Sequence, residues 1–543
     1  MAQQSDGSAL RTILNPGEPL GPIDAATINE IRAAALLFDP HNTSFTTLLR
    51  ADVAVIIGRR GSGKTALLGS YEYRNYSPAL KDPNLRRSTA GSDYLRYNII
   101  LSVPTHTYFD VMRQLVNRAA ALPRPVESVI EDWTNLIADY FLEQFLRGQL
   151  KAQTKSPHLG VIQTYFSQDE DDFQQEARIK VWGRARWRSM RDFLRLKPSE
   201  DTEFVMCEEA IRAADRHLAA TEQRLLILFD SMDDYYVTTE PYARTLGALI
   251  RFVGEFNKDS ERMTMKLGLP AEIYPEIKKG SANPIKDLVR VGQLKWTSPE
   301  LAQIAAYRFR LFLYLYDSKY AERLRDLDLS KRGDVNRFWR MFLPLSHTNK
   351  YGQEEEPLTY ILRHTQLLPR QFLMIVQEMI KNSAEITGGY RELKSESLES
   401  AVEDAVQLLA SEILAAYAHV FPGAEEIGLA MFANCDTVLT FDQLGTLWRR
   451  KGRAAAKGAG EMGEVQAINL LLRIGVVGLL ETETERYYEA TFAYDARRQL
   501  NAGEGQRLCV HPIFSRVFRA GKNPGNKAVL ARGVPITWEP DDV

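Results

Sequence analysis

Cysteine is nearly absent: three residues in 543, Cys207, Cys435 and Cys509, far apart and with no CxxC or CxxH spacing. That excludes a disulfide framework and a cysteine-based zinc site, and it fits a reducing cytosol. Net charge is also lacking. Lys and Arg number 68 against 70 Asp and Glu, so no whole-chain attraction to nucleic acid or to an anionic surface is expected, and any polyanion binding must be local. No uninterrupted apolar run approaches the roughly 20 residues of a membrane span, and the polar stretch Met1 to Asn15 lacks the apolar core of a signal peptide. A cytoplasmic protein without membrane contact is expected. No internal repeat or low-complexity segment is apparent. What remains is the composition of a folded protein, 45% hydrophobic and 25% charged, long enough for two to four domains.

The most specific signal is a junction. Asp52-Val-Ala-Val-Ile-Ile57 has the β-branched character of a buried parallel strand and runs directly into Gly58-Arg59-Arg60-Gly61-Ser62-Gly63-Lys64-Thr65-Ala66. Strand, G-x-x-x-x-G-K-T and helix form a phosphate-binding loop (P-loop). Its glycines let backbone N–H groups turn inward around phosphates, and the helix start adds the positive end of its dipole. Lys64 is expected on the β and γ phosphates and the Thr65 hydroxyl on Mg²⁺, with ATP as the nucleotide.

A second acidic element should hold the metal. Leu225 to Phe229 reads as a buried strand delivering Asp230 to the carboxyl edge of a sheet, where ligands bind in open α/β folds. Asp230 is the expected magnesium residue. Asp233 and Asp234 follow, and either carboxylate could orient or deprotonate an attacking water. A third strand, Arg262 to Pro270, ends at the same edge in Leu267-Gly-Leu-Pro-Ala-Glu272, and no polar sensor is assigned there.

These residues resemble the STAND class of signal-transduction ATPases, the NACHT-like group within the AAA+-like P-loop division. The resemblance rests on Gly58–Thr65, on Phe229-Asp-Ser-Met-Asp-Asp234, and on Leu367-Leu-Pro-Arg-Gln-Phe-Leu373, which is similar to a Pro-Arg element of the helical lid. It implies that Arg370 approaches the phosphates as a second sensor. It also implies an ATP-hydrolysing switch alternating between ADP and ATP states, with homo-oligomerisation on activation and an effector or sensor protein as partner. Bacterial defence or stress signalling is the role such a layout implies. Asp234 stands where the NACHT pattern prefers Glu, which leaves the base open between Asp233 and Asp234.

The expected fold is an α/β P-loop core with a parallel sheet and helices on both faces, followed by a helical lid and a winged helix. The boundaries are an N-terminal segment 1–50, the core 51–295 with a helical insertion at about 103–220, a lid and connecting helix 296–417, a winged helix 424–520 and a flexible tail 521–543. The interval from Lys64 to Asp230 is too long for a minimal core, and Leu136, Tyr140, Phe141 and Phe145 mark an amphipathic helix inside it. Thr297-Ser-Pro-Glu-Leu301 is a strong helix start for the lid. From Ala424 the expected order is helix, strand, helix, helix (Glu464–Ile474), strand, strand.

Three features leave alternatives open. Arg178 to Lys197 mixes basic residues with Trp182, Trp187 and Phe193, as single-strand binders do, but a solvated helix balancing Asp169 to Asp172 is the favoured reading of the same residues. The cluster Arg449-Arg450-Lys451, Arg453 and Lys457 adjoins a third helix rich in core-type residues, a poor reader of a major groove. Val510-His511-Pro512 resembles, at its histidine, the Met-His-Asp of STAND switches, which would put His511 on bound diphosphate, and a satisfied core histidine is the other reading. The competing functions are a DNA-associated ATPase resembling origin-recognition or transposition-helper proteins and, less well matched, a small-molecule kinase.

Overall fold

The computed structural model describes residues 2–28, 31–38, 43–73, 96–103, 117, 125–168, 184–197, 204–230, 240–280, 291–456, 462–496, 499–520 and 527–535. The N-terminal segment contributes α1 (Ala2–Arg11) and α2 (Ile31–Leu37) ahead of β1 (Val55–Gly58) and α3 (Lys64–Tyr73). Then come β2 (Ile99–Val103), the insertion helices α4 (Val126–Lys151), α5 (Pro157–Ser167), α6 (Arg184–Leu194) and α7 (Cys207–Ala220), β3 (Leu225–Phe229), α8 (Glu240–Asp259), β4 (Met263–Pro270) and β5 (Val291–Gln293). The five strands pair in the order β2-β3-β4-β1-β5, and every pairing is parallel. The acidic strand β3 is thus separated from the P-loop strand β1 by β4.

The central strands β1, β3 and β4 are buried on both faces, as their unbroken apolar runs require. Leu225, Ile227 and Phe229 of β3 pack with Trp133, Leu136, Phe141 and Phe145 of the insertion, while Leu226 and Leu228 turn to Leu67, Leu68 and Tyr71 of α3 and to Phe45. The expected stripe on α4 is therefore core, with Tyr140 partly buried beside it. Lys266, on β4, is fully buried, and its ammonium donates to the carbonyls of Leu48, Arg50 and Val53 at 3.3, 2.7 and 2.6 Å. Three carbonyls compensate for the burial and tie the N-terminal segment to the sheet.

The lid comprises α9 (Ser298–Tyr316), the hairpin β6 (His347–Thr348) and β7 (Glu354–Glu355), α10 (Pro369–Thr387) and α11 (Ser395–Ala416). Glu300 accepts from the Thr297 N–H and hydroxyl at 2.7 and 2.8 Å, which secures the start of α9. Next follow α12 (Ala424–Phe432), β8 (Val438–Thr440), α13 (Phe441–Leu447), α14 (Glu464–Ile474), β9 (Val477–Glu483) and β10 (Tyr487–Thr491), the winged-helix order. The sheet is larger than expected: β11 (Arg507–Val510), followed by α15 (Pro512–Val517), and β12 (Ala528–Ala531) extend it to β12-β10-β9-β11-β8.

Two expectations are corrected. The stretch 521–543 is not wholly a flexible tail: Ala528 to Ala531 are fully buried in a strand parallel to β10, their small and apolar side chains completing that core. The flanking 521–526 and 536–543 lie outside the described residues. The lid and winged helix, expected as separate domains, share one continuous hydrophobic core that also takes in Leu10, Ile13 and Leu14 of the N-terminal segment. Among the described residues no helix is long and apolar enough to cross a membrane.

Candidate functional site

The P-loop bends where only glycine does so cheaply. Gly61 and Gly63 have φ of +79° and +89°, and a side chain on Gly58 would fall 2.3 Å from the Ser62 hydroxyl. Lys64 opens α3, is buried, and donates to the carbonyls of Gly58 at 3.1 Å and Arg59 at 3.4 Å. The loop is also clasped from outside. The Ala271 N–H donates to the Gly58 carbonyl at 3.0 Å, the Arg370 N–H to Gly61 at 3.4 Å and the Trp296 indole to Ser62 at 2.7 Å. In the other direction, the Arg60 N–H donates to Glu272 at 2.9 Å.

Gly61, Gly63, Lys64, Thr65 and Ala66 border a cavity of about 120 Å³ that runs between the N-terminal segment and the lid. Its apolar part is formed by Ile28, Phe38, Phe45, Leu294, Trp296 and Leu373. One end therefore offers backbone N–H groups and a lysine, and the other an apolar slot, as a nucleotide's phosphates and base require. Sequence reading missed the apolar slot. Its faint signals were the run Ala33 to Phe38 and the tryptophan beside the lid's helix start.

Arg370 also borders this cavity, at the start of α10, against Gly61. Its guanidinium pairs with Asp24 at 2.9 Å and lies 3.9 Å from Glu412. Asp230 follows the last residue of β3 and is partly buried. Its charge bears on Tyr73: burial first, then Glu72 and Asp230, push that phenol up to about 12. Asp233 and Asp234 lie outside the described residues.

His511 is not at the cavity. It is fully buried in the winged-helix unit, where Nδ1 accepts from the Ile513 N–H at 3.2 Å as the cap of α15, and Nε2 meets the Tyr494 hydroxyl at 3.0 Å. Burial drives its imidazole down to about 3, helped by Arg59 and Arg363 and opposed by a backbone hydrogen bond with Thr365. In this conformation the ring serves the core instead of a phosphate.

The winged helix nevertheless reaches the P-loop. Arg59 donates to the Ile474 carbonyl at the end of α14, and Gln366 of the lid donates to the same carbonyl at 3.0 Å. Arg473, from α14, pairs with Glu276 at 2.7 Å and donates to the Glu272 carbonyl. Burial works to raise the Glu276 carboxyl, but the Arg473 hydrogen bonds hold it below its ordinary range. Neither Glu272 nor Glu276 was singled out in the sequence, since nothing in Leu-Pro-Ala-Glu distinguishes a clasp from an ordinary loop acid.

Among the described residues no group of three or more His, Cys, Asp or Glu is placed to hold a metal. Magnesium does not need one, because it keeps waters and takes phosphate oxygens beside one or two protein oxygens. The Thr65 hydroxyl and Asp230 carboxylate are donors of that kind.

No protein-family model and no curated protein matches the chain. Among solved structures it is similar to the ORC2 protein of Aeropyrum pernix, in ADPNP and ADP complexes, at 13% identity over 87% of this chain and 88% of that one, with a TM-score of 0.35. It is also similar to CDC6P from Pyrobaculum aerophilum, at 10% identity over 88% and 91%, with a TM-score of 0.26. The case for function therefore stands on the geometry of the site itself.

Proposed function

We propose that the protein binds and hydrolyses ATP with magnesium and that its lid and winged helix respond to the nucleotide. The observation that carries this reading is the continuity of the P-loop, with Lys64 and Thr65 at the head of α3, into a cavity roofed by the N-terminal segment and the lid. Lys64 would release its two carbonyls to meet the β and γ phosphates. Thr65 and Asp230 would hold magnesium, Asp233 or Asp234 would serve the attacking water, and Arg370 would meet the γ-phosphate. A switch function is supported by Arg59, since a residue of the phosphate loop itself holds the end of α14. A ligand that moves the loop changes that contact, and differential affinity for two arrangements is what a switch requires. In the same reading His511 would meet diphosphate only in a second arrangement of the winged helix, and homo-oligomerisation or an effector protein would carry the signal.

A second reading, a DNA-associated ATPase, is favoured by one feature. Val465 and Gln466 at the start of α14 are exposed, and Arg450, Lys451 and Arg453 are exposed on the segment preceding it, the arrangement by which helix-turn-helix proteins present a helix start to bases and cations to phosphates. Turnover measured with and without duplex and single-stranded DNA, between 50 and 200 mM salt, separates the two. Stimulation that fades steeply with salt supports the DNA reading, and DNA-independent turnover supports the switch. Failure to bind ATP at all sinks both.

A further inference from the structure

The outside contacts of the P-loop backbone are of two kinds. Ala271, Arg370 and Trp296 each donate to a loop carbonyl, which is what an outward-facing carbonyl of a phosphate cradle normally needs. Glu272 does the reverse: its Oε1 accepts the N–H of Arg60, two residues beyond the end of β4. Its side chain is 4% exposed, and its other oxygen, Oε2, is buried without a hydrogen-bond partner among the described residues. It borders a narrow cavity of about 20 Å³ with Arg59, Arg60, Gln366, Arg370 and Glu412, between the loop and the lid.

We propose that Glu272 is a positioning residue for nucleotide binding: by holding the Arg60 N–H it fixes the Arg59–Arg60 peptide and so aims the N–H groups of Gly61 to Thr65 into the cavity. The inference rests on the ATP-binding reading above. A buried N–H without an acceptor is costly, so removing the carboxylate leaves the peptide free to turn and find a partner inside the cradle. The peptide is trans, so its carbonyl, on Arg59, faces inward and accepts from the Ser62 N–H at 3.0 Å and the Lys64 ammonium at 3.4 Å; turning the peptide breaks both contacts and lets the loop's N–H groups swing out of aim. The acceptor matters for this role and the negative charge does not, because a carboxylate beside a triphosphate gains nothing from its charge. The same residue also joins the two halves of the molecule, since its carbonyl accepts from Arg473 of α14.

The test compares Glu272→Gln, which keeps the reach and an acceptor but no charge, with Glu272→Met, which keeps the reach and no comparable acceptor. Magnesium-ATP affinity and steady-state turnover are measured for both, with Lys64→Ala and wild type alongside. Glu272→Gln should bind as wild type does. Glu272→Met should lose about tenfold in affinity and raise KM with kcat little changed, because a cradle holds ground state and transition state alike. Wild-type affinity in Glu272→Met overturns the proposal, and so does a loss in Glu272→Gln equal to that in Glu272→Met. If Glu272→Met does not fold, Glu272→Gln alone decides by keeping or losing affinity. Absence of ATP binding in wild type, or wild-type binding in Lys64→Ala, is a failure of the ATP reading and is recognised by those two controls.

Discussion

Arg59 and Ile474, more than 400 positions apart in the chain, are joined at 3.3 Å by a hydrogen bond from the guanidinium Nη2 to the carbonyl that ends α14. The same guanidinium lies 5.9 Å from the centre of the Tyr494 ring. The second residue of the phosphate loop is thus a strap to the winged helix, and a cation at a helix C-terminus suits the dipole there.

Removing that strap should loosen the dock. In Arg59→Ala the amides from Ile474 to Thr491 should exchange faster with solvent than in wild type under the same ADP concentration. Tyr494 would lose a cation–π partner worth about 0.5–1 kcal/mol in addition to the hydrogen bond. Unchanged protection throughout α14, β9 and β10 would show that Arg473 and Glu276 hold the interface without Arg59.

Lys64→Ala should abolish tight ATP binding. A charge-assisted hydrogen bond is worth about 1.5–3 kcal/mol, so the variant should lose at least about tenfold in affinity. Isothermal titration with magnesium-ATP checks it, and wild-type affinity would sink the site assignment.

Asp230→Ala should bind ATP without benefit from magnesium, whereas Asp234→Ala should bind normally and turn over slowly. Titrations run with and without the metal, and a turnover assay, read these directly. Equal hydrolysis by Asp234→Ala and wild type moves the base to Asp233 or elsewhere.

Asp24 pairs with the Arg370 guanidinium, for which a bound phosphate would compete. The pair is partly exposed, and ion pairs open to solvent contribute about 0–1 kcal/mol, so Asp24→Asn should bind ATP up to about fivefold more tightly and ADP no differently. A selective gain for ATP supports the lid arginine as a γ-phosphate sensor. Weaker ATP binding in Asp24→Asn would mean that Asp24 holds the cavity open instead of guarding it.

Acid should destabilise the winged-helix unit through His511. Its imidazole is held down to about 3 in the fold, against an ordinary value near 6.5. The unfolded chain therefore takes up a proton as pH falls below about 6.5 and the folded chain does not, so stability is complete above that value and declines toward about 3. Asp495 acts oppositely, since burial raises its carboxyl to about 6 and protonation near that pH favours the fold. The variant His511→Asn keeps a side-chain cap for α15 without a titrating ring. Its Tm should fall less between pH 7 and 4.5 than that of wild type, and parallel pH profiles would refute the assignment.

The phosphate loop was fully legible in the chain because its chemistry is local. A short run of consecutive residues and one lysine make the cradle, and the left-handed Gly61 and Gly63 are needed wherever the rest of the molecule goes. Strand β3, the lid's start at Thr297 and helix α14 from Glu464 to Ile474 were equally local, set by apolar runs and caps. What only the tertiary structure decided are the contacts between residues far apart in sequence. The burial of Lys266 under the N-terminal segment, the apolar slot from Ile28 to Phe45, the strand at Ala528 and the diversion of His511 into the core each depend on which surfaces meet. Glu272 states the difference most plainly: as a letter it is an ordinary loop acid, and it becomes a clasp because β4, lying beside β1 in the sheet, ends level with the Arg60 N–H.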